Sequence, residues 1–373
     1  MTTAHEFDLA VVGAGIVGMS CALAAARRGL KVAVIERNAR ACGASVRNFG
    51  LVTITGQDRA DVWQRARRSR EVWLEVAAQA GIPIIARGLW AAARRPESAA
   101  VLEAFMRSDM AGGCRLFSAS AARRQCPELN TDGLQAVLWS PHELRFESRD
   151  AIPALADWLR RDHGVTFVWE TAVHAVAPPK LETSRGPVSA AAIVVAPGED
   201  LTTLFPERLA AAGVGLCTLQ MLRLESPGFS LPGTLMSDLS LVRYGGFANL
   251  PEAGALRQRL ADEQAEYLAH GIHLIVAQGS DGSLIVGDSH HEGAGPFADE
   301  RIYELLLDEY RAVFGSEPPR VRERWSGTYA VAKHCAVLID EPAPRIRLVL
   351  VTSGIGASTG FAIGEEVIGG LFA

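Results

Sequence analysis

Lysine, paired cysteines and long apolar segments are all scarce in this chain of 373 residues. Lysine occurs only as Lys31, Lys180 and Lys333, so arginine carries nearly all of the positive charge. The six cysteines are scattered and form no C-x-x-C pair, which argues against a disulfide framework or a zinc site. We therefore expect reduced thiols, a cytoplasmic location and no metal site. The net charge of −5 argues against nucleic acid as a main partner.

One uncharged stretch, from Leu9 to Ala26, is long enough to be compared with a membrane span or a signal peptide. Three glycines interrupt it, and Glu6 and Asp8 precede it where a signal peptide would carry positive charge. We therefore expect a soluble protein without a membrane span.

That same stretch carries the most informative motif of the chain. The apolar run Asp8–Val12 is typical of a buried parallel strand, and Gly13, Gly15 and Gly18 follow it in G-x-G-x-x-G spacing. A helix ending near Gly29 comes next, and its N-terminus favours a phosphate. The pattern predicts a tight turn that holds a pyrophosphate.

A second apolar strand, Lys31–Glu36, completes a βαβ unit. It ends in Glu36, 23 residues after Gly13, where a carboxylate can accept hydrogen bonds from both ribose hydroxyls of an adenine dinucleotide. An ordinary glycine-rich turn would leave this joint spacing unexplained. The sequence therefore predicts a dinucleotide site.

Periodicity and turn signals predict the remaining elements. Helices are expected over 58–80, 97–110, 148–159, 298–314 and 361–371. Strands are expected over 89–93, 165–169, 188–196, 219–224, 234–244, 273–277, 283–287 and 346–352. Residues 215–289 are predicted to be mostly extended, with a hairpin turn at Gly279–Gly282.

Three further features, together with the βαβ unit, resemble the D-amino-acid oxidase superfamily, which includes glycine oxidase and monomeric sarcosine oxidase. They are the strand end Ala196–Gly198, the motif Trp325–Gly327 and the glycine-rich loop Ser353–Gly360. The resemblance covers essentially the whole chain. It implies FAD and an α/β fold: a discontinuous, doubly wound, Rossmann-like FAD-binding domain plus an α+β substrate domain with an antiparallel sheet. We assign 1–86, 140–217 and 323–373 to the FAD-binding domain and 87–139 and 218–322 to the substrate domain.

Three stretches are similar to a bacterial branch of that superfamily associated with phosphonate catabolism: Gly43–Gly50, Gly287–His290 and Trp325–Tyr329. Members of the branch are proposed to oxidise aminoethylphosphonates or their N-methyl or hydroxy derivatives. The resemblance implies oxidative deamination or N-dealkylation of a small aminophosphonate such as 2-aminoethylphosphonate or its N-methyl derivative. The product would be an aldehyde such as phosphonoacetaldehyde, with dioxygen reduced to hydrogen peroxide.

Two positions depart from the superfamily. Amino-acid oxidases usually place an arginine for the substrate carboxylate where this chain has Tyr329. Sarcosine oxidases attach flavin through a cysteine where this chain has Gly327, and Cys335 lies eight residues after Gly327. We therefore expect non-covalent FAD.

The resemblance and the motifs together nominate cofactor-binding residues. The N-terminus of the last helix, near Thr359, would face the negative charge of the flavin. The nominated residues are Gly13, Gly15, Ile16, Val17, Gly18, Glu36, Arg37, Ser45, Arg47, Asn48, Val173, Ala196, Gly198, Gly327, Gly354, Gly356, Ser358 and Thr359.

A phosphonate dianion needs cations or several hydrogen-bond donors. The substrate-binding candidates are Arg47, Arg243, Tyr244 and Tyr329, with Arg243 and Tyr244 at the end of a predicted strand. The catalytic candidates are Tyr329, His290 and Lys333, the last as a cation that promotes reaction with dioxygen. For each of them a structural or surface role is the competing interpretation.

Other functions remain open. An amino-acid or N-methyl amino-acid oxidase could use Arg47 or Arg243 in place of the missing arginine. A dehydrogenase could pass electrons to a carrier protein or quinone, and an FAD-binding protein without catalysis is the fourth possibility.

Overall fold

The computed structural model describes residues 6–59, 61–293, 295 and 297–373. Its strands are β1 (Phe7–Val12), β2 (Val32–Ile35), β3 (Leu51–Val52), β4 (Ala86–Ala93), β5 (Arg115–Ser118), β6 (Ala136–Arg145), β7 (Thr166–Val168), β8 (Val173–Ala177), β9 (Lys180–Thr183), β10 (Val188–Val195), β11 (Gly215–Leu224), β12 (Thr234–Met236), β13 (Ile275–Gln278), β14 (Leu284–Gly287), β15 (His291–Glu292), β16 (Val321–Val331), β17 (Val337–Asp340) and β18 (Ile346–Val351).

The α-helices are α1 (Ile16–Ala26), α2 (Asp61–Ala80), α3 (Pro96–Met106), α4 (Ala119–Gln125), α5 (Ser148–His163), α6 (Pro206–Ala211), α7 (Gly245–Ala248), α8 (Ala253–Glu263), α9 (Ala265–Ala269), α10 (Glu300–Phe314) and α11 (Gly356–Leu371). Short 3-10 segments cover Ala44–Val46, Asp109–Ala111 and Asp238–Val242. No helix of the described residues is both long enough and apolar enough to cross a membrane.

The first sheet has the order β17-β18-β10-β1-β2-β7 and is parallel from β18 to β7. Its central strand β1 is flanked on both sides, so Val12 lies opposite both Val195 and Ile35. Strands buried on both faces read as continuous apolar runs, which is how the sequence revealed β1, β2, β10 and β18. This parallel sheet with its helices confirms the α/β fold class.

The second sheet has the order β15-β11-β14-β13-β12-β4-β6-β3, with β16 paired to β11 and β5 paired to β6. Its pairs are antiparallel except for β12 with β4, which run parallel. The predicted hairpin between 273–277 and 283–287 is present as β13 and β14. Most of the second core lies between this sheet and α3, α8 and α10.

The long helices α1, α2 and α11 pack together beside the first sheet. Gly364 of α11 faces the backbone of α1, and an added Cβ there would lie 2.5 Å from the carbonyl carbon of Ser20. Trp73 of α2 stacks on Phe146 at 4.7 Å between ring centroids, and its indole N–H donates to the Ala357 carbonyl at 2.8 Å. These contacts fix the start of α11 against α2.

The prediction of mostly extended chain over 215–289 is wrong between β12 and β13. The expected strand over 234–244 ends at Met236, and Arg243 and Tyr244 lie between a 3-10 segment and α7 instead of ending a strand. The chain then forms α8 and α9. Leu256 and Leu260 are fully buried at a spacing of four, which is the helical period that the prediction overlooked.

Two helix boundaries also differ from the prediction. The last helix begins at Gly356 rather than near residue 361, so Thr359 lies inside it. The helix expected over 97–110 ends at Met106, and a 3-10 turn follows.

The division into two domains stays a prediction. Strand membership differs from it in three places, because β3, most of β6 and most of β16 were assigned to the FAD-binding domain and pair in the second sheet. The long pairing of β11 with β16 brings Tyr329 opposite Cys217, between the two sheets.

Candidate active site

The turn between β1 and α1 can be built only from glycines. Gly13 has φ +101°, and an added Cβ there would meet the Ala196 carbonyl oxygen at 2.4 Å. At Gly18 an added Cβ would lie 2.0 Å from the Gly13 carbonyl oxygen. Gly15 caps α1 without a side-chain bond, and apart from the Ile16 amide, which Ser45 accepts, the first-turn amides have no side-chain partner in the described chain and can face a ligand.

Glu36 fixes this turn from the end of β2. Its Oε2 accepts a hydrogen bond from the Ala14 amide at 2.9 Å, and its Oε1 accepts one from the Asn38 amide at 3.0 Å. Glu36 as a whole is 9% exposed. Neighbouring Arg37 forms an ion pair with Asp200 at 2.8 Å.

A cavity of about 1080 Å³ extends from the start of α1 to the second sheet. One wall is the loop before β3, where Ser45 Oγ accepts a hydrogen bond from the Ile16 amide at 2.9 Å. The nominated cofactor residues that line the cavity are Gly15, Ile16, Val17, Gly18, Ser45, Arg47, Asn48, Ala196, Gly198, Gly327, Gly354, Gly356 and Ser358.

Five nominated cofactor residues do not line the cavity: Gly13, Glu36, Arg37, Val173 and Thr359. Gly13 and Glu36 shape the turn beside it. Val173 is buried in β8, within the apolar core of the first sheet. Thr359 is fully buried, and its hydroxyl donates to the Ile355 carbonyl, because α11 begins earlier than predicted.

The N-terminus of α11 forms the opposite wall. Ile355 occupies the N-cap position without a side-chain cap, so the dipole and the first amides of the helix face the cavity. Ser358 Oγ accepts a hydrogen bond from the Thr53 amide at 2.9 Å, which ties the helix to β3. Two helix N-termini and the glycine turn therefore fit an elongated dinucleotide such as FAD.

At its far end the cavity is lined by Arg243 and Tyr329. The Arg243 Nη2 donates to the Tyr329 hydroxyl at 3.5 Å. Burial raises the pKa of Tyr329, so its phenol stays protonated. Arg47, Arg243 and Lys333 line the same cavity, and none of them has a carboxylate within ion-pairing distance in the described part of the chain.

A buried polar cluster of His273, Asp288 and His290 lies beside Arg243. Of these three residues, the sequence analysis nominated His290. The His273 Nε2 lies 3.2 Å from Asp288 Oδ1, and the His290 Nε2 lies 3.7 Å from Asp288 Oδ2. The two imidazole rings are nearly parallel, with centroids 5.0 Å apart. Tyr244, half-buried, packs its ring edge-on against His273 at 5.6 Å.

Burial dominates the protonation of this cluster. It raises the pKa of Asp288 to about 7, although the nearby charge of Arg243 acts in the opposite direction. Burial and the Arg243 charge both lower the pKa of His273 and His290 well below the usual histidine value. Both imidazoles are therefore neutral at neutral pH.

Sequence reasoning missed His273 and Asp288, but a signal for them existed. Because β13 and β14 form a hairpin with Ile275 opposite Gly287, residues just before β13 and just after β14 must lie side by side. Polar residues at those two positions, at the end of a buried hairpin, indicate a site.

The fold and the glycine-lined cavity define a flavin-dependent class of protein, and the family comparison agrees. A family model described as "DAO: FAD dependent oxidoreductase" matches residues 8–368. The chain belongs to this family of FAD-dependent oxidoreductases, and FAD is its cofactor.

Solved structures with the same fold cover nearly the whole chain. Glycine oxidase from Bacillus cereus ATCC 14579 aligns with a TM-score of 0.78 at 16% identity over 98% of this chain and 95% of its own. An L-alpha-glycerophosphate oxidase from Mycoplasma pneumoniae with FAD bound aligns at 0.77 and 15% identity over 98% and 95%. Iminodiacetate oxidase from Chelativorans sp. BNC1 aligns at 0.72 and 19% identity over 97% and 94%.

Curated relatives match only a short segment. Mitochondrial glycerol-3-phosphate dehydrogenase of Rattus norvegicus is 51% identical over 47 residues, which is 13% of this chain and 6% of that protein. Glycerol-3-phosphate dehydrogenase of Mycobacterium leprae (strain TN) is 54% identical over 44 residues, which is 12% of this chain and 8% of that protein.

Proposed function

We propose that the protein oxidises a small amine that carries a phosphonate group, such as 2-aminoethylphosphonate or its N-methyl derivative. The reaction removes a hydride from the carbon next to nitrogen, and the resulting imine hydrolyses to an aldehyde such as phosphonoacetaldehyde. Dioxygen is the proposed electron acceptor, with hydrogen peroxide as its product.

The observation that carries this proposal is the cationic end of the cavity. Arg243 extends into the cavity without a carboxylate partner in the described residues, and Tyr329 stands next to it. An unpaired arginine facing a ligand cavity is suited to binding an anionic group. Arg47 directly follows the 3-10 segment whose Ser45 accepts from the Ile16 amide, so its charge suits the cofactor's phosphates as well as a substrate.

Tyr329 contributes a neutral hydroxyl at the position where the superfamily resemblance leads us to expect an arginine. A flat carboxylate matches two parallel donors of one guanidinium, whereas a tetrahedral phosphonate accepts bonds from several directions. The pair of Arg243 and Tyr329 offers donors of that dispersed kind. His290 is not one of them, because its two ring nitrogens face the Gly271 carbonyl at 3.0 Å and Asp288.

The rest of the site contributes positioning. Bound FAD supplies the hydride acceptor. The chain holds the substrate anion at Arg243, which directs the amine toward the cavity wall formed by Gly327 and the start of α11. Amides of α11 offer donors for negative charge that develops there. Lys333 lies exposed in the same cavity, as a cation that promotes the reaction with dioxygen.

The proteins similar to this chain have names that refer to two kinds of substrate. The names of the glycerophosphate oxidase and the glycerol-3-phosphate dehydrogenases refer to substrates with tetrahedral oxyanions, and glycine oxidase and iminodiacetate oxidase refer to amines with carboxylates. An amino-acid oxidase is the second candidate, because the guanidinium of Arg243 also fits a carboxylate.

Anaerobic mixing of the purified holoenzyme with a substrate panel tests the proposal. The panel is 2-aminoethylphosphonate, its N-methyl form, glycine and sarcosine, and bleaching of the flavin absorbance is the signal. We expect the aminophosphonates to bleach the flavin fastest. Faster bleaching by glycine or sarcosine would establish the second candidate instead. A peroxide assay in air then distinguishes an oxidase from a dehydrogenase that uses another acceptor.

A further inference from the structure

His273, Asp288 and His290 direct three metal-ligating groups at one point. One ligand atom from each side chain lies within 4.8 Å of the others, and all three residues line the cavity. Asp288 and His273 are 5% and 2% exposed. Such convergence of two imidazoles and a carboxylate inside a protein needs a positive charge or a proton among them.

The contacts within this cluster are short but are not ordinary hydrogen bonds. Asp288 Oδ1 is buried and has no hydrogen-bond partner in the described chain, although His273 Nε2 is only 3.2 Å away. The Nδ1 of His290 lies 3.0 Å from the Gly271 carbonyl, which can only accept, so Nδ1 carries a proton and donates it. The other ring nitrogen, Nε2, lies 3.7 Å from Asp288 Oδ2 and is the one left to bind an ion.

We propose that His273, Asp288 and His290 bind a divalent transition-metal ion at the substrate end of the cavity. Two imidazole nitrogens and one carboxylate oxygen suit zinc and related metals. The His273 Nε2 lies 3.2 Å from one oxygen of Asp288 and the His290 Nε2 lies 3.7 Å from the other, and both separations are shorter than the distance of about 4.2 Å that two metal bonds of about 2.1 Å can span. The bond from His290 Nδ1–H to the Gly271 carbonyl is the outer contact that orients metal-binding histidines.

Because His273, Asp288 and His290 line the cavity that Arg243 also lines, we assign the remaining coordination position of the ion to that cavity. The positive charges of a bound metal ion and of Arg243 repel each other, and an anion between them offsets that repulsion. We therefore expect the anion and the metal ion to strengthen each other's binding. A phosphonate oxygen is the ligand that we assign to that position. This role of the phosphonate rests on the function proposed above, whereas the metal site does not depend on that function.

Zinc binding to the untagged, FAD-loaded full chain tests the site without any substrate. After chelation and dialysis, the protein is titrated with zinc by calorimetry and its bound metal is counted by mass spectrometry. We expect one zinc per chain. Asp288→Asn and His290→Gln should weaken this binding by at least about tenfold, since even outer partners of a metal ligand contribute that much.

His291→Gln is the matched control, because it removes the neighbouring histidine, which lies outside the cluster. It should bind zinc as the wild type does. The flavin spectrum and far-ultraviolet circular dichroism of each variant verify folding. If the wild type binds zinc no more strongly than Asp288→Asn does, the proposal is wrong. The three side chains then share a proton instead of binding a metal ion.

Methylphosphonate provides a second arm. It should tighten zinc binding to the wild type and have a smaller effect on Arg243→Met. Equal zinc affinity with and without methylphosphonate would overturn the anion-anchoring role. Neither arm requires turnover, so a failure of the aminophosphonate substrates in the kinetic panel is distinguishable from a failure of the metal site.

Discussion

At the scale of single residues, Arg243 is the side chain on which the substrate class depends. Arg243→Met should lower kcat/KM for 2-aminoethylphosphonate by about 10- to 150-fold, because a hydrogen bond to a charged group contributes about 1.5–3 kcal/mol. Tyr329→Phe removes one neutral donor and should give a loss at or below the low end of that range. Steady-state kinetics on the four substrates of the panel measure both.

Two further variants sharpen this test. Arg243→Lys keeps the charge without the planar fork, so it should retain more activity on a phosphonate than on a carboxylate. Arg124→Met, which removes an exposed arginine of α4 outside the cavity, is the control. Unchanged phosphonate kinetics in Arg243→Met would place the anion elsewhere.

Glu36 is the second residue with a testable role. Glu36→Ala should weaken FAD binding by about 5- to 150-fold, since it leaves the Ala14 amide unpaired and removes an acceptor for the ribose, a loss of about 1–3 kcal/mol. Titration of the apoprotein with FAD, followed by flavin fluorescence, gives the dissociation constant. Glu36→Gln retains one acceptor oxygen and should lose less. Wild-type affinity in Glu36→Ala would mean that the ribose site is elsewhere.

At the scale of elements, the contact between α1 and α11 depends on Gly364. Gly364→Ala would press a methyl group against backbone atoms of Ser20 and Cys21 at 2.5 to 2.8 Å and should cost about 1–3 kcal/mol of unfolding free energy. Gly370→Ala in the same helix meets no atom within 4 Å and should stabilise by up to about 1 kcal/mol. Urea unfolding of both holoproteins compares them, and equal stabilities would show that the two helices can separate.

Helix α10 contains a buried acid, Glu309, whose pKa burial raises, with the charge of Asp238 adding to the rise. Between the ordinary and the raised pKa, the folded chain keeps a proton that the unfolded chain has lost, so stability falls as pH increases. Glu309→Gln removes that penalty and can keep the bond from Gln264. The increase in Tm caused by Glu309→Gln should be larger at pH 8 than at pH 5.

The control for this pH dependence is Glu304→Gln, which changes an exposed position of the same helix. Its effect on Tm should not depend on pH in the same way. A Glu309→Gln gain that is equal at both pH values would contradict the buried-charge explanation.

The elements that could be predicted are those for which several features of the sequence indicate the same structure. The βαβ unit of Gly13 and Glu36 was predictable because glycine spacing, strand burial and the acidic strand end all indicate one structure. The region of α8 was missed although Leu256 and Leu260 have helical spacing, because its apolar residues are few and polar residues dominate the segment.

The candidate site was predictable in part for the same reason. Tyr329 was predicted from a motif, and the structure brings it next to Arg243, 86 positions away along the chain. His273 and Asp288 come together at the open end of the β13–β14 hairpin. The hairpin was predicted but its register was not, so the meeting of these two residues was missed.

At the scale of the whole molecule, the flavin should be held without a covalent bond. No cysteine lines the cavity in the described chain, and Cys335 Sγ lies 3.8 Å from the Thr352 hydroxyl. Acid precipitation of the yellow protein should release all of its FAD into the supernatant. Absorbance of the supernatant and of the redissolved pellet measures this, and flavin remaining in the pellet would contradict it.

The interleaved order of the first sheet has a consequence for biosynthesis. β1 pairs with β10, and β10 pairs with β18, so strands that are neighbours in the sheet are distant in sequence. The ribosome therefore synthesises them at well-separated times. Until β18 emerges, one edge of β10 is unpaired and exposed to other chains. The cavity walls likewise come from both Gly15 and Gly356. The full set of flavin contacts therefore exists only after the segment from β18 to α11 has been made and has paired with the earlier strands, so tight binding of the flavin comes after that step.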